Sequence, residues 1–485
     1  MMALHAIGVT ACAYACTHSY ASTDNSAMSN SVQEKLGSVF LVTLFIACSI
    51  FSTLIPPFQS PDEFEHVKRA YLFGKGEIVL TAAEGQSSGG MIDNGLLCYM
   101  HAFDGIPFHP ENKVTSDVLH DADLIKWEHA NAFSPALGQA YYFPAIYSIH
   151  ALGLILGEHL DFTINASYRL TKLLLLIATC GVLFLAFRLC PPTPLIYALL
   201  VIPMSLFQFS SASLDGIATA LSLLIVSAFL RTLQIGKFAP AWLFYLMIIA
   251  WMLVASSRVH LFSLILMALA VYVYTRRTQY LIATFLAIGF VVLWQVIVMK
   301  TIVDGRVDLH ATSSAIIATY VQNPARFLSV VMATVTTRSI AAGYFSSFFG
   351  MLGWLDAPFH GKEYIYLGIL TLTVGAFSVD WKNLGKCLPT RLLLVLCSLV
   401  SVFTIFFALL VTWTPHPATI IDGVQGRYFL VPSVLLAYAT SGLAKGIGST
   451  QEKIGMIALV ILAVFSSVSM TDLLVERYYL YTPGP

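Results

Sequence analysis

Long apolar runs separated by short polar breaks fill most of this chain. The first, Leu36 to Ile55, has the roughly 20 residues that a helix needs to cross a bilayer. Others follow at about 141–157, 169–188, 192–209, 214–231, 239–256, 259–275, 279–300, 363–379, 392–412, 427–445 and 454–470. This pattern predicts an all-α polytopic membrane protein with about 11 transmembrane helices over residues 36–470. Two polar stretches interrupt it. Residues 58–140 form a large loop, and 301–360 a second region outside the bilayer, in which the semi-polar 336–360 carry Gly343, Gly350 and Gly353 and are expected to be re-entrant or superficial. Residues 1–35 are expected to be a poorly ordered leader, because Met1 to Tyr14 has no basic residue to start a signal peptide. Residues 471–485 are expected to be a tail. No internal repeat is visible.

Basic residues in the short breaks orient the chain. Arg188, Arg231 with Lys237, Arg276-Arg277, Lys382 with Lys386 and Arg391, and Lys445 with Lys453 should face the cytoplasm. The large loop, Ser211 to Asp215, 301–360 and Trp413 to Gly426 are then extracytoplasmic. Parity leaves one conflict, since two apolar segments lie between the large loop and Arg188. Either Tyr141 to Gly157, broken by Pro144, lies partly in the interface, or Arg188 faces outward.

Composition agrees with this picture. The chain of 485 residues is 57% hydrophobic and 11% charged, against about 25% charged in a soluble domain. Its formal net charge is zero, which suggests no nucleic-acid partner. The eight cysteines and the scattered histidines of the large loop follow no metal-binding spacing.

The densest chemistry lies where the first span ends. Pro56-Pro57-Phe58-Gln59-Ser60-Pro61-Asp62-Glu63-Phe64-Glu65-His66 puts three carboxylates and a histidine directly after an apolar run. Prolines stop the helix there. Ionisable groups at a membrane boundary are costly and point to function. A short amphipathic helix over Glu65 to Phe73, with Phe64, Val67, Tyr71 and Leu72 on one side, is expected to lie on the membrane surface. Asp62 reads as a general base or as its N-cap, and Glu65 as a capping-box partner or a chemical group.

Three blocks carry a family likeness. They are Pro56 to Glu63 with His66 and Ala70; Tyr168-Arg169-Leu170 with Ile202-Pro203-Met204, Phe207-Gln208 and Ser211-Ala212-Ser213-Leu214-Asp215; and Gly350-Met351-Leu352-Gly353-Trp354-Leu355-Asp356 with Gly423-Val424-Gln425-Gly426-Arg427-Tyr428-Phe429. Together they resemble a bacterial family of polytopic membrane proteins of unknown function that is grouped with the GT-C glycosyltransferases. The segment Ser257-Arg258-Val259-His260 departs from that family's usual lysine and proline.

The resemblance implies a GT-C-like bundle in the bacterial inner membrane, with its active site facing the periplasm or exterior. It implies transfer of a sugar from a polyprenyl-phosphate donor to a cell-envelope glycan acceptor. Asp62 is then the first choice for the base and Glu63 its catalytic companion. Arg427, with Gln425 and Tyr428 beside it, and Arg258 are candidates for the lipid phosphate. His66, Arg69, Asp215 and Asp356 are further substrate-binding candidates. Some GT-C enzymes use a divalent cation such as Mg or Mn, and this sequence leaves that open. The competing readings are a transporter or flippase of lipid-linked sugars and a polysaccharide polymerase or ligase.

Overall fold

The computed structural model describes residues 25–379, 381, 385, 387–440 and 450–481. Of the leader expected over residues 1–35, residues 1–24 lie outside the described residues, as do the orienting Lys382, Lys386 and Lys445, while residues 25–35 are helical.

Helix α1 (Asn25–Leu54) ends just before Pro56 and Pro57, which cannot donate helical hydrogen bonds. The polar stretch after it is folded. Helix α2 (Glu63–Gly74) leads into an antiparallel sheet of β1 (Thr81–Ala82), β2 (Ser88–Asp93) and β3 (Asn131–Pro135), ordered β1-β2-β3, with Gly89 opposite Pro135 and Asp93 opposite Asn131. Helices α3 (Asn94–His101) and α4 (Ser116–Leu124) lie in the connection from β2 to β3. Two 3-10 turns, Gln139–Tyr141 and Pro144–Tyr147, enter the short helix α5 (Ser148–His159).

The amphipathic helix expected on the membrane surface is instead packed inside the protein. In α2, Val67 and Leu72 are fully buried, and the helix lies against α5 and β2. Its apolar side found a protein partner in the folded loop.

Helix α6 (Ile164–Leu189) runs antiparallel to α1. Arg188 near its end pairs with Glu34 of α1 at 2.5 Å, and Lys172 near its start donates to the Ser52 carbonyl at 2.7 Å. The chain therefore leaves α1 and returns to α6 at the same end, and α5 is not a pass through the bundle. That geometry removes the parity conflict.

The run expected as one span at 192–209 is broken into α7 (Pro194–Val201) and α8 (Pro203–Phe209). Ile202 takes an extended ψ of 149°, because a proline disfavours helical geometry in the residue before it. Helix α9 (Asp215–Ile235) is the axis of the fold: every residue from Gly216 to Leu230 is buried, chiefly against α6 and α10 (Ala241–Ala255). A 3-10 stretch, Val259–Leu264, leads to α11 (Ile265–Thr275), and α12 (Thr278–Thr301) follows. Residues 301–360 hold α13 (Ser313–Gln322), α14 (Pro324–Thr336), α15 (Arg338–Phe349) and a hairpin of β4 (Met351–Leu352) and β5 (Ala357–Pro358). The chain closes with α16 (Gly361–Ser378), α17 (Leu388–Thr412), a 3-10 turn at Gly426–Phe429, α18 (Leu430–Thr440) and α19 (Thr450–Tyr478). Residues 471–478, expected to begin a tail, continue α19, and Arg477 and Tyr478 are buried.

Among the described residues six helices are long and apolar enough to cross a membrane: α1, α6, α9, α12, α17 and α19. Their outer faces are greasy. Val39, Val42, Ile46 and Ile50 on α1, and Phe285, Leu286 and Leu293 on α12, are all exposed. Apolar bands of this extent suit lipid and would be a liability in water.

Candidate functional site

The corner after α1 is a strained turn held by aromatic packing. Phe58 and Asp62 both have φ of 63°, in the left-handed region, which costs a non-glycine residue about 1–3 kcal/mol. Phe58 is fully buried, stacked on Phe64 at 4.7 Å and packed on Tyr168 at 4.9 Å. Its carbonyl accepts from the Trp354 indole at 2.9 Å, so the hairpin connection β4–β5 is tied to the corner. Asp62 stands at the N-cap position of α2, yet its side chain makes no capping bond. The capping-box reading of Glu65 fails as well, since that carboxylate binds Lys68 at 2.8 Å and the Leu137 amide at 2.8 Å.

The Asp62 carboxylate instead reaches across the fold to Arg427, 3.0 Å away. Arg427 also binds Asp215 at 3.1 Å, and its Nε donates to Gln425 at 2.6 Å. Its guanidinium lies 5.2 Å from the centre of the Tyr428 ring. Arg258 pairs with the other Asp215 oxygen and donates to the Tyr142 hydroxyl at 3.1 Å. Gln208 donates to Asp215 at 3.2 Å. Two carboxylates and two guanidiniums thus form one chain, Asp62–Arg427–Asp215–Arg258, with no net formal charge. Asp215 opens α9, where the helix dipole favours an anion.

Exposure varies along this quartet. The side chain of Arg427 is 2% exposed and that of Asp62 is 32% exposed, so Asp62 is its open end. A cavity of about 30 Å³ touches the other end, lined by Asp215, Arg258, His260, Arg427 and Tyr428. Burial is the largest influence on Asp62 and works to raise its pKa, but the charge and hydrogen bond of Arg427, with Arg258 and the nearby His66, together hold the carboxyl below its ordinary range. Desolvation alone would make Asp62 a stronger base, and the cation in direct contact with it reverses that effect. Burial works against the charge of Arg427, yet Tyr428, Asp215 and Asp62 keep it firmly protonated.

Other expected site residues stand elsewhere. Glu63 is fully buried and accepts from the Tyr168 hydroxyl at 2.7 Å, the Ala212 amide at 2.5 Å and the Ser60 amide at 3.1 Å. It is a rivet joining the corner to α6 and to the approach to α9, with no free face toward the quartet. Burial raises its pKa. His66 is enclosed too. Its Nδ1 meets the Tyr147 hydroxyl at 2.8 Å, and burial lowers its pKa to about 3, so it is neutral. Arg69 donates to the carbonyls of Glu77 at 3.0 Å and Ile78 at 2.6 Å, which makes it a brace of the loop. Asp356 binds Arg477 at 2.7 Å, the Phe108 amide at 2.7 Å and the Trp354 amide at 2.9 Å. It clamps α19 and the large loop to the β4–β5 connection.

The carboxylates do not suit a divalent cation. Asp62 and Asp215 are engaged by guanidiniums, and the Glu63 oxygens by neutral donors. Among the described residues no group of three His, Cys, Asp or Glu side chains could hold a metal ion.

Two members of the arrangement escaped sequence reading. Tyr142 lay in a segment read as interfacial, and its neighbouring Tyr141 gave no reason to prefer it. Gln208 stood in a noted block, seven residues before Asp215, but a spacing across the turn at Ser210 to Leu214 does not reveal a contact.

Comparison with curated proteins and with solved structures finds no match. Residues 44–437, which include all four members of the quartet, match a family described as predicted membrane proteins, DUF2142. The match covers most of the chain, and the protein belongs to that family.

Proposed function

We propose that this protein is a membrane glycosyltransferase of the GT-C kind. It moves a sugar from a polyprenyl-phosphate donor to a cell-envelope glycan on the outer side of the bacterial inner membrane. In this reading the chain passes the bilayer about eleven times, with α7 and α8 together as one pass and the shorter α10, α11, α16 and α18 as others. The quartet then lies at the extracytoplasmic end, where α1 stops and α9 starts.

One observation carries the proposal. Asp62, Asp215, Arg258 and Arg427 come from four separate stretches and meet between the end of α1 and the start of α9, with a partly exposed carboxylate at the open end. In the reaction, the acceptor hydroxyl oxygen bonds to the anomeric carbon as the bond from that carbon to the lipid phosphate breaks. The bonding pair leaves with the phosphate, and the hydroxyl proton passes to Asp62. An arriving phosphate competes with Asp62 for Arg427. Losing that contact lets the Asp62 pKa rise, so the base strengthens as the leaving group is neutralised. Displacement at the open face by a single base most simply inverts the anomeric centre.

The test is transfer in reconstituted vesicles with labelled polyprenyl-phosphate sugars and an extracted glycan acceptor. Wild-type protein should form covalent product, and a folded Asp62→Asn protein should not. Equal product from both removes Asp62 from the chemistry. Movement of the lipid-linked sugar across the bilayer without product favours a flippase.

A further inference from the structure

A second cavity, of about 240 Å³, opens between α1 and α6 and shares no lining residue with the one at the quartet. Ser49, Ser52 and Thr53 face it from α1, and Tyr168, Arg169 and Lys172 from α6. It is the place where the noted Tyr168-Arg169-Leu170 block, unused by the transfer chemistry, presents its charge. Arg169 is solvent-exposed, while Lys172 is buried with its ammonium on the Ser52 carbonyl. Among the described residues neither has a carboxylate at ion-pair distance. Glu63 attracts Lys172, but its oxygens are already taken by Tyr168, Ala212 and Ser60. The lining of the cavity therefore carries two cations and several hydroxyls but no carboxylate.

The surroundings say what kind of anion fits. Beyond the cavity, Ile46 and Ile50 on α1 and Leu173 and Ile177 on α6 are 54%, 55%, 45% and 50% exposed. These apolar ridges belong to two of the helices long enough to cross a membrane. The volume is below the roughly 300–1,000 Å³ of pockets that enclose a drug-sized ligand, so it suits a headgroup and not a whole sugar-lipid. We propose that this cavity binds the phosphate of a membrane amphiphile, entering sideways between α1 and α6. Arg169 forks onto the phosphate oxygens, Lys172 supplies a second charge, and the acyl or prenyl chain lies along the ridges. This goes beyond the transfer reading, because binding here needs no sugar and no reaction.

The experiment uses the full chain in nanodiscs of neutral phosphatidylcholine and measures uptake of labelled phosphatidic acid. Saturable binding is expected, weakened at least about tenfold in Arg169→Gln, the factor of one charged hydrogen bond, and largely restored in Arg169→Lys. Arg188→Gln, at the far end of α6, is the control and should bind as wild type does. Inorganic phosphate at millimolar concentration should fail to compete. Full competition by inorganic phosphate would overturn the lipid as the source, and binding unaffected by Arg169→Gln would overturn the site. Binding that persists in an Asp62→Asn protein lacking transfer supports this site independently of the catalytic reading.

Discussion

Replacing Arg427 with methionine removes the group that both carboxylates share. The flexible thioether keeps much of the side-chain bulk, so the main loss is electrostatic. Asp215 retains Arg258 and Gln208, whereas Asp62 has no second ion pair among the described residues. The formal charge of the cluster falls from zero to minus one. Removing one partner of a buried ion pair costs about 3–5 kcal/mol. Asp62 is 32% exposed, so water recovers part of its solvation and the lower end, about 3 kcal/mol, is expected. Asp62→Asn should cost only about 1 kcal/mol, because Arg427 keeps Asp215 and Gln425. The double variant should then cost about 1–2 kcal/mol less than the two singles added, since the second change removes a partner already lost. Reversible unfolding by sodium dodecyl sulfate in mixed micelles, followed by circular dichroism, measures all three. A double variant additive within about 0.5 kcal/mol would refute the contact on which the site is built.

Three further outcomes follow from buried groups and close approaches. The folded state keeps His66 neutral with its pKa lowered from 6.5 to about 3, while the unfolded chain protonates it near 6.5; stability should therefore fall as pH drops from 6.5 toward 3, and His66→Gln should flatten that slope in a pH series of the same titration. A side chain at Gly426 would collide with the backbone of Tyr344 and Phe348 on α15, so Gly426→Ala should cost about 1–3 kcal/mol or more, whereas Gly343→Ala, which meets open space, should be near neutral. Asp356→Ala frees Arg477 and the Phe108 amide and should cost about 3 kcal/mol, with loss of the proposed lipid-sugar transfer no greater than the loss of folded protein.

The spans that period and length define most clearly were legible. The apolar runs at 36–55, 169–188, 214–231, 279–300, 392–412 and 454–470 each fall, to within one residue at an end, inside one of the six long helices. The run of similar hydropathy at 192–209 gave a broken helix. The fault is a single proline at 203, whose effect on Ile202 a hydropathy window averages away. The site was legible in part for the same reason that membrane charges stand out: Asp62, Asp215, Arg258 and Arg427 are costly near lipid and were each singled out. What pairing they form was not readable, because residues 62, 215, 258 and 427 meet only through the stacking of α9, α10 and α18 with the corner. Glu63, Arg69 and Asp356 looked equally charged and equally placed. Their partners are backbone amides and carbonyls, the Tyr168 hydroxyl or Arg477, all distant in sequence or on the backbone, and no local pattern reports such contacts.

The left-handed backbone at Asp62 explains why adjacent carboxylates have opposite surroundings. With Asp62 in a standard N-cap geometry, its carboxylate would turn back onto the first amides of α2 and be spent there. In the observed turn that carboxylate swings outward to Arg427, and the next residue, Glu63, points into the core to anchor the turn that makes this possible. The aromatic packing of Phe58 and the indole bond from Trp354 hold the strained corner from the other side. A side chain held this way loses little freedom when a ligand arrives, so exchanging Arg427 from carboxylate to an incoming anion needs a small movement of charge, not a rearrangement of the bundle. In the proposed transfer reaction, the neutral quartet receives an anion that brings its own charge, and the rigid corner keeps the freed carboxylate in place when that anion takes the arginine.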